Sequence, residues 1–267
     1  MVRSDPPSWF TAWMTEQVRT RAGGVRARAR EQMTNEILDV AKAHLAEQGA
    51  TGLSLRAVAR DVGMVSSALY RYFDSRDALL TALIVDAYNS LGQSVEDAQS
   101  PVAREDLPDR WRTIALQVRS WALGQPHLYA LVYGSPVPGY AAPLDTTGPA
   151  TRVTALLADL LRAAAAQTRG NLEEVSEPDS SSPLDPDTKA ALAPLLDYLG
   201  DSVDEGLAMR GVLAWAAMFG LVSFELFGQL HNVVDPTGRE SFFRAEVDRL
   251  GQMVGFARAT PRDPSAN

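Results

Sequence analysis

The chain has 267 residues, of which 46% are hydrophobic and 22% charged, enough apolar material for the core of one large or two smaller domains. It has no cysteine, which excludes disulfides and thiolate chemistry, and its three histidines (44, 127 and 231) lack metal-ligand spacing to carboxylates. The uncharged stretch 211–224 is shorter than the roughly 18 to 20 residues that cross a bilayer. We therefore expect a cytoplasmic protein with no membrane span, no metal, no cofactor and no enzymatic activity.

The net charge of −8 is unevenly distributed along the chain. Residues 1–85 contain 11 Lys/Arg and 9 Asp/Glu, whereas the remaining residues contain 14 and 24. Five arginines lie between positions 19 and 30 with no acidic residue among them. The local balance matters more than the total for nucleic-acid binding, so the N-terminal part can still bind DNA.

Four helices are predicted in the first third of the chain, after a flexible basic arm at 1–29 in which Trp9, Phe10, Trp13 and Val18 can alternatively form a short helix. Apolar residues at helical spacing indicate a first helix from Glu31 to Gly49, and a second from the cap Ser54 to Gly63. A short third helix is expected from the cap Ser66 to Tyr72, and a fourth over 76–91, capped by Asp74 or Ser75. Two short helices separated by a glycine-containing turn are typical of a helix-turn-helix, so 30–85 is predicted as a DNA-binding domain.

The rest of the chain predicts an all-α fold, because no segment shows sustained alternation of apolar and polar residues. Helical stretches are expected at 108–124, 149–168, 187–200, 204–230 and 238–258. Two loops interrupt them, one at 134–148 and an acidic, serine-rich one at 169–187 that is expected to be disordered. We take 86–260 as a second, larger helical domain.

The outer face of the third helix is the predicted DNA-reading surface. The inner faces of the second and third helices carry apolar residues, which leaves small, polar and basic side chains facing outward. Tyrosine hydroxyls and arginines there can contact phosphates, and small residues can approach base edges closely. The candidate DNA-binding residues are Arg26, Arg28, Arg30, Ser54, Arg56, Val65, Ser66, Ser67, Tyr70, Arg71, Tyr72 and Arg76.

Residues 53–80, LSLRAVARDVGMVSSALYRYFDSRDALL, closely resemble the DNA-binding signature of the TetR family. The resemblance includes the Tyr72-Phe73 pair, a following basic residue and the Leu79-Leu80 that begins the connecting helix. It implies phosphate contacts by Ser54, Tyr70, Tyr72 and Arg76, and base contacts by Val65, Ser67 and Arg71. Arginine at position 76 stands where many relatives have lysine, which keeps the charge and allows bidentate phosphate contact.

Two parts of this surface have a simpler interpretation. The arginine-rich arm can lie in an adjacent minor groove, as homeodomain arms do, or it can be solvated only. Tyr70 and Tyr72 can contact phosphates, or they can pack beside Phe73. We prefer the DNA-binding role in both cases, with Tyr70 the better of the two tyrosine contacts.

The region 125–140, QPHLYALVYGSPVPGY, together with 215–220, resembles the ligand domain of a TetR subgroup with a Trp-His-Gly signature. Here Phe219 precedes Gly220 where that subgroup usually has histidine, so we expect a more apolar pocket. Aromatic residues of this domain can line such a pocket or form core, and Trp111 and Trp121 are expected to face different surroundings. His127 is interpreted as a helix-start residue. The candidate ligand-binding residues are Trp111, Trp121, Tyr129, Tyr133, Tyr140, Trp215 and Phe219.

The segment 204–230 is apolar on nearly all sides, which predicts burial against a partner chain. The resemblance likewise implies a homodimer through helices near 204–230 and 238–258, and a two-fold dimer implies a palindromic or near-palindromic operator in double-stranded DNA. The prediction is a repressor released from DNA by a small apolar or aromatic effector. An activator, or a regulator of the same fold without a ligand, is the alternative.

Overall fold

A computed structural model of the protein describes residues 8–143, 146–171 and 184–256, with side chains for all of these except 8–23 and 170–171. The regular secondary structure of these residues is entirely helical, which confirms the all-α prediction. Residues 1–7 of the predicted arm, most of the predicted disordered loop 169–187, and the domain end at 257–260 lie outside the described residues. The helices are α1 (Ser8–Gly52), α2 (Leu55–Val62), α3 (Ser66–Leu69), α4 (Arg76–Gln99), α5 (Leu107–Gly124), α6 (Pro126–Tyr133), α7 (Thr147–Ala150), α8 (Arg152–Asn171), α9 (Pro186–Leu199), α10 (Glu205–Leu226) and α11 (Arg239–Val254).

The chain forms two compact units. The first contains the residues up to Leu83 together with Ser135–Ala141, and the second contains Ile84–Gly134 and the residues from Ala142 onward. The loop 134–148 was expected in the larger domain, but its residues 135–141 belong to the first unit. Within the first unit the Tyr140 hydroxyl is hydrogen-bonded to the Thr81 hydroxyl at 2.9 Å, a contact between positions far apart in sequence that no local pattern reveals.

The core of the first unit comes from the predicted apolar stripes of α1 to α4. Leu69 of α3 and Phe73 are buried, and side chains of the other three helices close the core around them. Burial of these apolar surfaces holds the short α3 in place, since a four-residue helix cannot persist alone. The remaining core residues are Ile37, Leu38, Ala41, Leu45, Leu53, Leu55, Val58, Ala59, Leu79, Leu80 and Leu83.

Helix ends in the first unit follow the predicted capping chemistry only in part. Gly63 ends α2 at a left-handed φ of 79°, and the Ser75 hydroxyl accepts a hydrogen bond from the Ala78 amide at the start of α4, as predicted. The N-cap of α3 is Val65, not Ser66, and α3 ends at Leu69 rather than Tyr72. A run of turns continues the chain beyond Leu69, which accounts for the longer helix expected from sequence.

The helix α1 begins at Ser8 rather than near Glu31, so the described part of the arm predicted to be flexible has helical backbone. Alternating alanine and arginine between 26 and 30 favour helix, and this propensity extends the apolar-periodic segment backwards. At the other end, Gly49 has the predicted positive φ of 67° and interrupts the helix there as expected, although helical turns resume up to Gly52.

In the second unit, α5 lies at the centre and packs against α6, α8, α10 and α11. The predicted helices at 108–124, 187–200, 204–230 and 238–258 are confirmed with small shifts in their ends, and 149–168 divides into α7 and α8. Asp106, Asp185 and Asp204 each accept hydrogen bonds from backbone amides at the start of α5, α9 and α10. Helix α6 was not predicted as a separate element, although its start at Pro126 agrees with the interpretation of His127.

Candidate functional site

The outer face of α3 and the following turn present four of the predicted DNA-binding residues to solvent. The Val65 side chain is 70% exposed and Tyr70 is 47% exposed, an unusual state for large apolar or aromatic groups, and Ser67 and Arg71 are also exposed. Ser66 is half-buried. This surface combines an apolar group, two hydroxyls and a guanidinium, the set that contacts thymine methyls, phosphates and guanine edges in a major groove.

Ser54 and Arg56 flank this surface at the start of α2. Ser54 occupies the N-cap position with extended backbone, but its hydroxyl makes no capping bond, contrary to the sequence interpretation. A hydroxyl that does not cap its own helix can bond to an outside group, so the prediction of a phosphate contact at Ser54 stands. Arg56 is exposed.

Arg30 and Tyr72 contact each other within the first unit. The Arg30 guanidinium lies 5.1 Å from the centre of the Tyr72 ring, and its Nη2 donates to the carbonyl oxygen of Arg71 at 3.0 Å. Both residues were predicted to contact DNA directly, whereas the structure pairs them with protein groups. Arg26 and Arg28, earlier in α1, are exposed.

The Arg76 side chain bonds to backbone carbonyls of the protein, whereas it was predicted to contact a phosphate. Its Nη2 donates to the carbonyl of Ala50 at 2.6 Å and its Nε donates to the carbonyl of Leu53 at 3.3 Å. The last carbonyls of a helix lack partners in their own helix, and the guanidinium bonds to one of them, that of Ala50, and to the Leu53 carbonyl just after the end of α1. Nη1 also lies 3.4 Å from the Asp77 carboxylate, so the charge is partly balanced inside the protein.

His44 is buried between α1 and α2, where the sequence suggested only a favourable helix-end charge. Its Nε2 lies 2.7 Å from Oδ2 of Asp61, whose other oxygen accepts a bond from Arg60 Nε at 3.1 Å. These hydrogen bonds, first from Arg60 and then from His44, lower the pKa of the Asp61 carboxyl below its ordinary value. The pair ties the second helix of the helix-turn-helix to α1.

An aromatic cluster in the second unit brings together the residues for which a ligand-binding role was predicted in α6 and α10. We define it as Tyr88, Tyr129, Tyr133, Trp215 and Phe219. Ring centres are 4.6 Å apart for Tyr133 and Phe219, 5.0 Å for Tyr129 and Tyr133, and 5.9 Å for Trp215 and Phe219. Tyr88 of α4 meets Tyr133 edge-on at 6.0 Å.

The hydroxyl groups of the cluster are neutral, and those of Tyr88 and Tyr129 are hydrogen-bonded within the second unit. Tyr129 donates to the carbonyl of Phe219 at 3.2 Å and is also hydrogen-bonded to the Ser223 hydroxyl at 2.8 Å, and Tyr88 donates to the carbonyl of Val132 at 3.3 Å. Burial raises the pKa of all three tyrosines, most strongly that of Tyr133. A molecule that enters this cluster therefore meets uncharged rings.

Three of the predicted ligand-binding residues lie elsewhere. Trp111 is buried and its indole N–H donates to the carbonyl of Val247 at 2.7 Å, which fixes α5 to α11. Trp121 is also buried and donates to the Ser90 hydroxyl at 3.0 Å, so both tryptophans contribute to the core, although one edge of Trp111 lines a shallow groove. Tyr140 belongs to the first unit, because the loop that carries it folds there.

Tyr88 is a member of the cluster that sequence reasoning missed. Tyr88 comes directly after Ala87, the last residue of the predicted apolar stripe of α4. The signal available in the sequence was an aromatic side chain next to that aliphatic stripe. Two shallow grooves along α5 and α11, of about 430 and 420 Å³, contain none of the cluster residues. The second groove includes one edge of Trp111, and the first includes Arg119, which is paired with Glu225 at 2.7 Å.

A stripe of exposed apolar residues runs along one face of α10. Positions 209, 213, 216, 220, 224 and 227 recur every three or four residues, the spacing of one helical face, with small residues at 216 and 220. Among the described residues, α10 is the one helix long and apolar enough to cross a membrane, but it packs against α5, α8, α9 and α11. The large side chains of the α10 stripe are Met209, Leu213, Phe224 and, at the helix end, Phe227.

Comparison with known proteins gives the same result for both units. The family described as bacterial regulatory proteins, tetR family, matches residues 37–83, and the tetracyclin repressor-like C-terminal domain matches 111–250. The HTH-type transcriptional regulators Rv1816 of Mycobacterium tuberculosis and Mb1846 of Mycobacterium bovis are each 42% identical over 207 residues, covering 77% of this chain and 86% of theirs.

Solved structures show a similar fold. The regulatory protein SCO4313 is 35% identical with a TM-score of 0.63, over 84% of this chain and 97% of that one. A protein of unknown function from Rhodococcus sp. RHA1 is 22% identical with a TM-score of 0.59, over 82% and 93% of the two chains, and this second similarity concerns the fold alone.

Proposed function

Because the chain belongs to the TetR family of bacterial transcriptional regulators, we propose that it is a cytoplasmic repressor that binds a palindromic DNA operator as a homodimer. A small apolar or aromatic effector would release it from the operator. The observation that carries this proposal is the exposed α3 surface, which presents Val65, Ser67, Tyr70 and Arg71 on a buried apolar platform.

The α3 surface supports major-groove binding through its chemistry. Arg71 can form a bidentate contact with a guanine edge, and Val65 can contact a thymine methyl. The hydroxyls of Ser54 and Tyr70 can bond to phosphates on the two sides of the groove, and Arg26 and Arg28 extend the positive charge along α1. These contacts divide into sequence-reading and phosphate-binding groups, as a specific regulator requires.

Dimerisation is supported by the α10 stripe. Four large apolar side chains on one helix face are costly to leave in water, and a two-fold partner that presents the same stripe would cover them. The proposed interface consists of α10 and α11 from each protomer. Two copies of α3 would then read successive major grooves, which is the reason for a palindromic operator.

The aromatic cluster is the proposed effector site. Its rings are apolar and neutral, so a planar uncharged compound suits it better than an ion. Tyr88 lies on α4, the helix that also begins in the first unit. A compound that separates Tyr88 from Tyr133 would favour a different position of α4, and it releases DNA only if it binds the DNA-incompetent state more tightly.

A ligand-independent regulator, whether repressor or activator, is the second candidate. The observation that favours it is the close packing of the cluster, with ring centres 4.6 to 6.0 Å apart and none of its residues in either groove. A panel of neutral aromatic compounds separates the two candidates. If a compound releases the wild-type protein from the operator but does not release Phe219→Ala, the effector site is favoured. If no compound releases the wild-type protein, the second candidate is favoured.

The first experiment is selection of genomic DNA fragments by the purified protein. We expect wild type to enrich a palindromic sequence, and Arg71→Ala and Tyr70→Ala to lose that enrichment. Arg104→Ala is the matched control, since Arg104 is an exposed arginine in the connection between α4 and α5. If wild type enriches no sequence at moderate salt, or if Arg104→Ala behaves like Arg71→Ala, the proposed DNA-reading surface is wrong.

A further inference from the structure

The Arg30 side chain connects α1 to the chain segment that follows α3. Its Nη2 donates to the Arg71 carbonyl at 3.0 Å, and the same guanidinium covers the Tyr72 ring with 5.1 Å between its central carbon and the ring centre. These partners are 41 residues away in sequence. One side chain thus holds two consecutive residues of the DNA-reading segment.

That segment needs an external support. Regular helix ends at Leu69, so Tyr70 and Arg71 lie in turns where backbone hydrogen bonds run from the amide of Arg71 to Ala68 and from that of Tyr72 to Leu69. The Arg71 carbonyl lies beyond these turns, and a charged donor is a strong partner for it. A fixed carbonyl restricts the direction in which the Arg71 side chain leaves the backbone.

We propose that Arg30 is a positioning residue for DNA recognition: it presents Arg71 and Tyr70 to the operator by holding the Arg71 carbonyl and the Tyr72 ring, without neutralising a phosphate itself. This inference rests on the proposed operator binding. Only arginine suits the position, because a planar guanidinium can stack on a ring and donate sideways at the same time, whereas lysine offers a compact charge.

Neighbouring arginines of α1 supply matched controls. Arg28 lies two residues before Arg30 and is exposed, as is Arg26. If either arginine contacts a phosphate, its removal makes the fall of log affinity with log salt less steep, by about 0.9 in the slope for each lost contact. A positioning residue leaves that slope unchanged, because the number of neutralised phosphates is the same.

The experiment measures affinity for the selected operator and for a scrambled duplex over a range of salt concentrations, with wild type, Arg30→Ala, Arg30→Lys, Arg28→Ala and Tyr72→Phe. For Arg30→Ala and Arg30→Lys we expect about a tenfold loss of operator affinity, unchanged affinity for the scrambled duplex and an unchanged salt slope. Tyr72→Phe keeps the ring that Arg30 covers and tests whether the Tyr72 hydroxyl itself contacts a phosphate, which would reduce the steepness of the salt dependence.

Two results on DNA would overturn the proposal. A lower salt slope in Arg30→Ala with recovery in Arg30→Lys would make Arg30 a direct phosphate contact. Equal losses on both duplexes at constant slope would mean that Arg30 only stabilises the fold.

A DNA-free measurement distinguishes failure of this inference from failure of the proposed function. In protein labelled with 3-fluorotyrosine, the Tyr72 resonance, assigned through Tyr72→Phe, should shift in Arg30→Ala and Arg30→Lys but not in Arg28→Ala. An unchanged resonance overturns the contact itself. If the resonance shifts in the two Arg30 variants but the wild-type protein binds no DNA, the proposed function is wrong and the positioning role is wrong with it.

Discussion

At the scale of single residues, Arg76 shows how a cation predicted to bind phosphate can instead complete the fold. Its two carbonyl contacts close the end of α1, and neither can be fully reproduced by lysine. We expect Arg76→Lys to lower the free energy of unfolding of the first unit by about 1 to 2 kcal/mol, and Arg56→Lys to change it by under about 0.5 kcal/mol. Urea denaturation of the two variants measures this difference. Wild-type stability of Arg76→Lys combined with weakened DNA binding would restore the phosphate role.

A second prediction at the residue scale concerns how the Asp61 carboxylate makes the stability of the first unit depend on pH. Its lowered pKa means that the folded chain holds this proton less tightly than the unfolded chain, so the carboxylate stabilises the fold above the ordinary value of 3.8. That stabilisation is lost as pH falls through the lower folded-state value. We expect Asp61→Asn to unfold at lower urea concentration than wild type at neutral pH.

The difference between Asp61→Asn and wild type should shrink as the pH falls below 3.8. Asp74→Asn, at an exposed position after α3, serves as the control and should follow wild type throughout. A difference that persists at acidic pH would show that the amide disturbs packing and that the charge of Asp61 is not what stabilises the unit.

Sequence reasoning could predict which residues face outward on α3, because helical periodicity fixes the direction of Val65, Ser67 and Arg71. It could not predict the partners of Arg30 and Arg76. A long cationic side chain reaches several surfaces, and which carbonyl it meets depends on how helices distant in sequence pack. The exposed serine, valine and tyrosine positions were therefore predicted, whereas Tyr72 and the two arginines were given contacts outside the protein.

At the scale of elements, α8 is fastened to α4 by Arg152. This side chain donates to Glu96, Gln93 and the side chain and carbonyl of Asn89, all on α4. Gly92 allows the approach, since a Cβ there would lie 2.7 Å from Nε and 2.9 Å from Cβ of Arg152. The second half of α4 is thus held by hydrogen bonds as well as by apolar packing.

Gly92→Ala should therefore destabilise the second unit, by about 1 to 2 kcal/mol, although alanine is the better helix former. Gly124→Ala in α5, where a Cβ meets open space, is the control and should be neutral or slightly stabilising. Calorimetric unfolding tests both, and the same glycine change in an Arg152→Ala background should be less destabilising, because the contact with Nε is removed while the 2.9 Å approach to Cβ remains. If Gly92→Ala raises the stability of the wild-type chain, helix propensity outweighs the close approach.

The helices themselves were largely predictable, and the exceptions have physical causes. Start signals such as Ser75, Asp204 and Pro126 act locally, so they can be found in sequence. One feature depends on the balance between neighbours: α3 gives way to turns after Leu69, where a longer helix was expected. Helix α1 begins before the predicted residue because its alanine- and arginine-rich segment has a high intrinsic helix propensity, which the spacing of apolar residues does not reveal.

At the scale of the whole molecule, the α10 stripe determines the expected assembly. A charge at its centre would lie buried without a partner in the proposed dimer, which is strongly unfavourable. We expect Leu213→Glu and Phe224→Glu to be monomeric at concentrations where wild type is dimeric, a weakening of at least about 100-fold. Analytical ultracentrifugation measures the association.

Val233→Glu is the matched control for the interface, because Val233 is 75% exposed and apolar but lies after α10, outside the stripe. It should remain dimeric. Dimers of Leu213→Glu and Phe224→Glu with wild-type affinity would place the interface on another surface. The fold class and the apolar character of this helix were evident from sequence, but which of its faces stays uncovered was not.

The loop Ser135–Ala141 limits how this protein can be recombined with its relatives. A chimera that joins one parent's DNA-reading unit to another parent's second unit at residue 85 would separate Thr81 from its own Tyr140. The two segments must be exchanged together, so the DNA-reading unit is a discontinuous module that a single crossover cannot transfer intact. Specificity grafts in this protein should carry residues 135–141 from the same donor as the helix-turn-helix.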